Sequence, residues 1–367
     1  MKKFLSLPII LSAALSAQAQ FAAGNLAVLQ VGNGSETLSG LGNTFFIDQF
    51  TTGGSFVNNV IIPNSGGSSL VLGGNRTAEG YLSLAADGLS LGFAAYRSTP
   101  GAVDIQAATA ASVPRVFGMV DIASGTLSQP IVSTTVYSAL SWRSAVTDGV
   151  GNYWGFGGGN AANGGHYLGN GTPANLQSTY VTLRSASIYN GNLYFSHSGG
   201  AGTGTGIYGY AGLPTAAATP TQLISTGTGA APSEFVINPA ANVAFIADDR
   251  AVGSGGGIQK WTFDGSVWSL AYTVASGSPN GARGLAVDFS GSNPIVYATT
   301  GESSGTAINK LITFTDNGTS TPGITILSTS SSGTYYRGLE LIPIPEPSTF
   351  VLAGLGAAGL LIFRRRN

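Results

Sequence analysis

From Leu26 to Leu341, short apolar runs rich in β-branched and aromatic residues recur, each cut off by Gly, Asn, Asp or Pro. That rhythm predicts strands joined by tight turns. It is clearest in the C-terminal half. Arg283-Gly284-Leu285-Ala286-Val287-Asp288 is followed by apolar runs at 295–298, 310–314 and 324–327. The intervening stretches 290–294, 301–305 and 316–318 are rich in Gly, Ser and Asn and supply the turns. At Arg337-Gly338-Leu339 the opening motif returns, 54 residues later.

The same unit appears upstream. Glu234-Phe235-Val236-Ile237 opens a set continued at 243–247, 258–263 and 268–274, with Asp264-Gly265 as a hairpin turn between the last two. Arg184-Ser185-Ala186 opens another, continued at 193–195, 206–210 and 221–224. Arg143-Ser144-Ala145 begins a weaker one, with only 153–156 and 166–168 after it. Glu79-Gly80-Tyr81-Leu82 begins the earliest, continued at 89–96, 115–120 and 131–136.

These openings lie 64, 41, 50, 49 and 54 residues apart. Four strands per unit of roughly 40–50 residues is the pattern of a β-propeller. The second run of each unit, best seen in Val243-Ala244-Phe245-Ile246-Ala247, is almost wholly apolar, as suits a strand covered on both faces. Closure sets the count. The N-terminal runs 26–31, 44–50 and 56–62 lack an opening motif, while Arg337 to Ile342 is an opening with no strands after it. Joined, they complete one unit and remove two open sheet edges. The expected fold is therefore all-β, a β-propeller of six four-stranded blades in which N- and C-terminal strands share one blade. A β-helix or a Gly-rich β-sandwich is the alternative.

Both ends differ from the body. Lys2-Lys3, the apolar stretch 4–17 and Ala17-Gln18-Ala19 have the order of a secretory signal peptide, which predicts a mature start at Gln20. Residues 347–363 carry no charge and are followed by Arg364-Arg365-Arg366. Such a run is near the lower limit for spanning a bilayer, and the arginines would hold its end on the cytoplasmic side. A transmembrane helix at about 348–363 is expected. The preceding Pro345-Glu346-Pro347, the apolar segment and the basic stop together resemble the PEP-CTERM sorting signal of bacterial envelope proteins. The resemblance covers about the last 23 residues. It implies export across the inner membrane, at least transient anchoring in it, recognition by exosortase (a membrane protease-transpeptidase), and a destination at the cell surface or in the extracellular matrix, where exopolysaccharide is a candidate partner. The predicted division is thus a signal peptide at 1–19, a propeller domain at 20–343 and a sorting segment at 344–367.

Charge sharpens this. Of 15 basic residues, five (Lys2, Lys3 and Arg364 to Arg366) lie in the terminal signals, as does Glu346 among the 16 acidic ones; the 10 basic and 15 acidic residues left give the body a net charge near −5. A mildly acidic surface argues against nucleic acid as a partner. With no cysteine, the chain uses no disulfide, so its core must suffice.

The recurring charges are the leading candidate site. If the six openings are equivalent, Glu79, Arg143, Arg184, Glu234, Arg283 and Arg337 ring one mouth of the central channel. Such a ring would either bind an anionic sugar or carboxylate, or tie neighbouring blades together. The structural role is the expected one. Gly301-Glu302-Ser303-Ser304-Gly305 fits the nucleophile-elbow pattern and Gly204 to Gly209 a dinucleotide-loop pattern, yet both run into strands where their chemistry needs a helix. His166 and His197 are the only histidines, and no spacing suggests a metal site or cofactor. Asp248-Asp249 and Asp316-Asn317 read as turn formers. Tyr153, Trp154, Phe156, Trp261 and Trp268 are expected to be mainly core, with a carbohydrate-stacking platform as the other reading. No catalytic residue is assigned. The functional expectation is a non-enzymatic binding or structural module, with a polysaccharide-active hydrolase or lyase on the same scaffold as the alternative.

Overall fold

A computed structural model describes residues 20–344, apart from 159–163, 170–171, 200–202 and 303. The signal-peptide segment and the sorting residues Pro345, Glu346, Pro347, Arg364, Arg365 and Arg366, with the expected transmembrane run, lie outside the described residues. Among the described residues no helix is long and apolar enough to cross a membrane.

Six four-stranded antiparallel sheets are arranged as the blades of a propeller. The closing blade has the order β24 (Tyr335–Leu341), β1 (Leu26–Val31), β2 (Phe45–Phe50), β3 (Phe56–Ile61). Leu341 lies opposite Leu26 and Tyr335 opposite Val31, so the two chain ends meet in one sheet as expected. The second blade is β4 (Leu82–Leu84), β5 (Ser90–Tyr96), β6 (Arg115–Asp121) and β7 (Leu127–Ser133). The third is β8 (Ser141–Thr147), β9 (Tyr153–Gly158), β10 (Gly165–Tyr167) and β11 (Ala174–Gln177). Then come β12 (Leu183–Tyr189) to β15 (Thr221–Ser225) through β13 (Asn192–His197) and β14 (Gly206–Gly209). The fifth runs from β16 (Pro232–Ile237) through β17 (Val243–Asp248) and β18 (Gly257–Phe263) to β19 (Trp268–Val274). The sixth runs from β20 (Ala282–Asp288) through β21 (Ile295–Thr300) and β22 (Lys310–Thr315) to β23 (Thr325–Thr329).

The first strand of each blade lines the axis, and burial falls outward. β5 is buried at every position, while β19 and β23 are mostly exposed or half-buried. The apolar second strands are packed between neighbouring blades, which explains their lack of alternation. The Asp264-Gly265 hairpin forms as expected: the Asp264 carboxylate accepts the Ser266 and Val267 amides at 2.8 Å, and Gly265 takes φ 102°. Because the meander alternates direction, connections into each first strand and those between second and third strands share one face. Two long ones, 62–81 and 97–114, cover that mouth and are joined by an Arg76–Asp104 ion pair at 3.3 Å.

Candidate functional site

The arginine motif works through its neighbours. The residue after the arginine abuts the main chain of the next blade. Gly338 donates its N–H to the Gly80 carbonyl at 3.0 Å, Tyr81 to Arg143 at 3.4 Å, and Ser185 Oγ to the Ser233 carbonyl at 2.6 Å. A Cβ on Gly284 would sit 2.2 Å from the Arg337 carbonyl, and one on Gly338 would sit 2.3 Å from the Leu82 nitrogen. Glycine is thus required where innermost strands approach closely.

The same contacts fix the register. The six equivalent positions are Gly80, Arg143, Arg184, Ser233, Arg283 and Arg337. The four arginines fall where the repeat places them. Glu79 lies one residue before this register and Glu234 one residue after it, so the ring is not four arginines and two glutamates at equivalent positions. Glu79, in the connection before β4, stays beside the arginines, where its charge acts on Arg143 and Arg337, whereas Glu234 reaches the main chain of two other innermost strands.

All four arginines have partners within the fold. Asp249, on the connection after β17, accepts from Arg184 Nη1 at 2.8 Å and from Arg283 Nε at 3.1 Å. Arg184 also donates to Ser233 Oγ at 2.8 Å, and Arg283 to the Glu302 carbonyl at 3.1 Å and to the Tyr335 hydroxyl. Arg337 is directed to the carbonyls of Gly73, Gly74 and Glu79, at 2.5, 2.9 and 3.3 Å. Arg143 donates to the Leu183 carbonyl at 3.1 Å. Glu79 Oε1 accepts the Tyr96 hydroxyl at 2.8 Å. Burial pushes the Asp249 carboxyl up, but the two guanidiniums outweigh it and hold it below its usual range. Burial pushes Arg337 down to about 10, with Glu79 opposing. Asp249 therefore clamps blades four, five and six together, a role its reading as a turn former did not reveal.

Glu234 enters the axial channel. Its Oε2 accepts the main-chain N–H of Leu285 at 2.6 Å and of Leu339 at 3.2 Å, so one carboxylate satisfies the free edges of two other innermost strands. Its Oε1 is buried without a partner. Nearby, Glu340 Oε1 accepts the Leu84 N–H at 3.0 Å. Burial, and for Glu234 also the charge of Glu340, raises both carboxyls, Glu340 to about 8. Both line an axial cavity of about 500 Å³ on the face where the innermost strands end. Glu340 was not singled out in the sequence; its position three residues after Arg337 in a recurring motif was the available signal.

The remaining candidates separate by burial. Trp154 and Phe156 are fully buried and Trp261 nearly so, while Tyr153 and Trp268 are half-buried. His166 packs edge-on against Tyr137, and burial lowers it to about 4. His197 Nδ1 lies 2.8 Å from the Gly204 carbonyl. Strand β14 contains most of the Gly204–Gly209 pattern, and β22 follows the Gly301–Gly305 pattern, so neither leads into a helix. Among the described residues no group of three or more His, Asp or Glu is placed to hold a metal ion.

Residues 343–366 match the PEP-CTERM protein-sorting motif. The chain is thus a six-bladed β-propeller carrying an exosortase sorting signal, which implies an exported protein sorted to the cell envelope. No curated protein sequence matches it. Among solved structures it is similar to TolB from Acinetobacter baumannii, at 11% identity and TM-score 0.56, over 88% of this chain and 67% of that one. It is also similar to a chain of a nidogen/laminin complex, at 11% identity and TM-score 0.51, over 86% and 98%. At such identity the likeness concerns the fold alone.

Proposed function

We propose that the chain is a non-enzymatic binding or structural module, exported and brought to the envelope by its tail, with the propeller as the displayed part. The observation that carries this reading is the fate of the channel charges. Arg184, Arg283 and Arg337 are committed to Asp249 and to carbonyls that close the ring, so the groups best placed to act on a substrate are holding blades together. The tail acts as a transient membrane anchor, and the signal peptide is removed before Gln20. The axial pair of buried Glu234 and half-buried Glu340 favours the second reading, a polysaccharide-active hydrolase or lyase, because a carboxyl raised to about 8 stays protonated at neutral pH and can serve as an acid.

Incubation of the full chain with neutral and acidic polysaccharides separates the two. The module reading expects no release of reducing ends or unsaturated uronate. Release that Glu340→Gln abolishes, in a variant that still melts cooperatively, establishes the enzyme.

A further inference from the structure

Blades four and five form a second concavity, away from the axis, on the face where the innermost strands end. It is a groove of about 550 Å³, within the range of small-ligand sites. Its walls are aromatic. On one side Tyr189 and Tyr194 lie 6.1 Å apart, and on the other Phe263 and Trp268 lie 5.4 Å apart with their rings 31° from parallel. All four are half-buried, with part of each side chain facing solvent.

The positions are built by the fold. Phe263 and Trp268 are opposed across the β18–β19 hairpin, whose turn Asp264 holds. Tyr194 lies along β14 over Gly209, where a Cβ would come within 2.5 Å of the ring. Tyr189 is anchored by its hydroxyl, which donates to the Phe235 carbonyl at 3.1 Å. Among the described residues the Trp268 indole N–H has no protein acceptor. Gln222 and Asn190 are exposed at the rim; their amide nitrogens donate to the Thr205 carbonyl at 3.0 Å and the Pro239 carbonyl at 3.4 Å, which leaves the amide oxygens as acceptors, and no Asp, Glu, Lys or Arg lines the groove.

Rings flanked by uncharged amides match the two faces of a pyranose: apolar C–H groups that stack on aromatic faces, and hydroxyls that exchange hydrogen bonds with amides and an indole N–H. An acidic sugar would find no cation there. We propose that this groove is a binding site for a neutral polysaccharide, with Trp268 and Tyr194 as the principal stacking surfaces. This rests on the reading of the chain as a binding module and names its ligand class.

The full chain in detergent is run in native gels containing hydroxyethylcellulose, soluble starch or galactomannan, and in parallel polygalacturonate. At least one neutral polymer retards it and polygalacturonate does not. Trp268→Ala and Tyr194→Ala each weaken retardation about tenfold, Trp268→Phe keeps most of it, and Tyr153→Ala, outside the groove, leaves it unchanged. A measurement without variants guards against misfolding. Trp142, Trp154 and Trp261 are buried, so acrylamide quenching of indole fluorescence reports on Trp268, and an oligosaccharide of the retarding polymer must reduce it. No retardation by any neutral polymer, retardation by polygalacturonate alone, or retardation and quenching indifferent to Trp268 overturns the proposal. Cleavage of the retarding polymer would instead overturn the non-enzymatic reading and leave the groove standing.

Discussion

Asp249 shows how much of the ring depends on one side chain. It neutralises Arg184 and Arg283, which come from blades four and six. Its replacement by Asn leaves two buried guanidiniums without their charge partner, a loss of about 3 kcal/mol; a lower urea midpoint at unchanged slope is the expected readout. Glu340 acts in the opposite sense. It holds its proton more tightly folded than unfolded, so its contribution is complete below about pH 4.5 and is lost as the pH rises toward about 8. Glu340→Gln, which retains an acceptor for the Leu84 amide, is therefore expected to melt higher than the parent at pH 8.5. The gap should close toward pH 4.5, and an equal gap at both pH values would contradict the assigned burial. The arginines were legible because they recur with the repeat. Asp249 was not, because it meets Arg184 from 65 positions away in the chain and its sequence neighbourhood is that of an ordinary turn.

At the scale of elements, the inner three strands of each blade follow closely from the apolar runs, and the fifth blade is read strand for strand. The failures have physical causes. β11 (Ala174–Gln177) was not recognised because it has no β-branched residue and buries fully only Leu176 and Gln177. Outer strands face solvent, so burial selects their residues weakly. β7 accordingly begins at Leu127, four residues before the run that marks it in the sequence. The recurring Arg-Gly-Leu was seen as a charge motif, whereas its glycine sets how closely two innermost strands approach. Gly338→Ala must displace the Leu82 and Gly80 main chain and is expected to cost about 1–3 kcal/mol. Gly323→Ala, at a position with open space around it, serves as the control. Equal melting temperatures for the two variants would refute the close-packing argument.

The whole molecule is closed by its own ends. β24 supplies the innermost strand of the blade whose other three strands begin the chain, and it also bears Arg337 and Glu340. A chain ending at Thr334 loses that strand, leaves β1 with a free edge and opens the ring. It should fail to unfold cooperatively and should aggregate, where a chain ending at Ile344 stays soluble and melts like the full protein. The sorting motif begins at 343, two residues after β24 ends, so fold and sorting signal are contiguous. The most direct test of an exported propeller sorted by its tail is fractionation of cells producing the full chain or one lacking residues 345–367. The full chain is expected in the envelope or matrix fraction, and the shortened chain released in a protease-resistant, folded form. Identical distribution of the two chains, or retention of both in the cytoplasm, would contradict it.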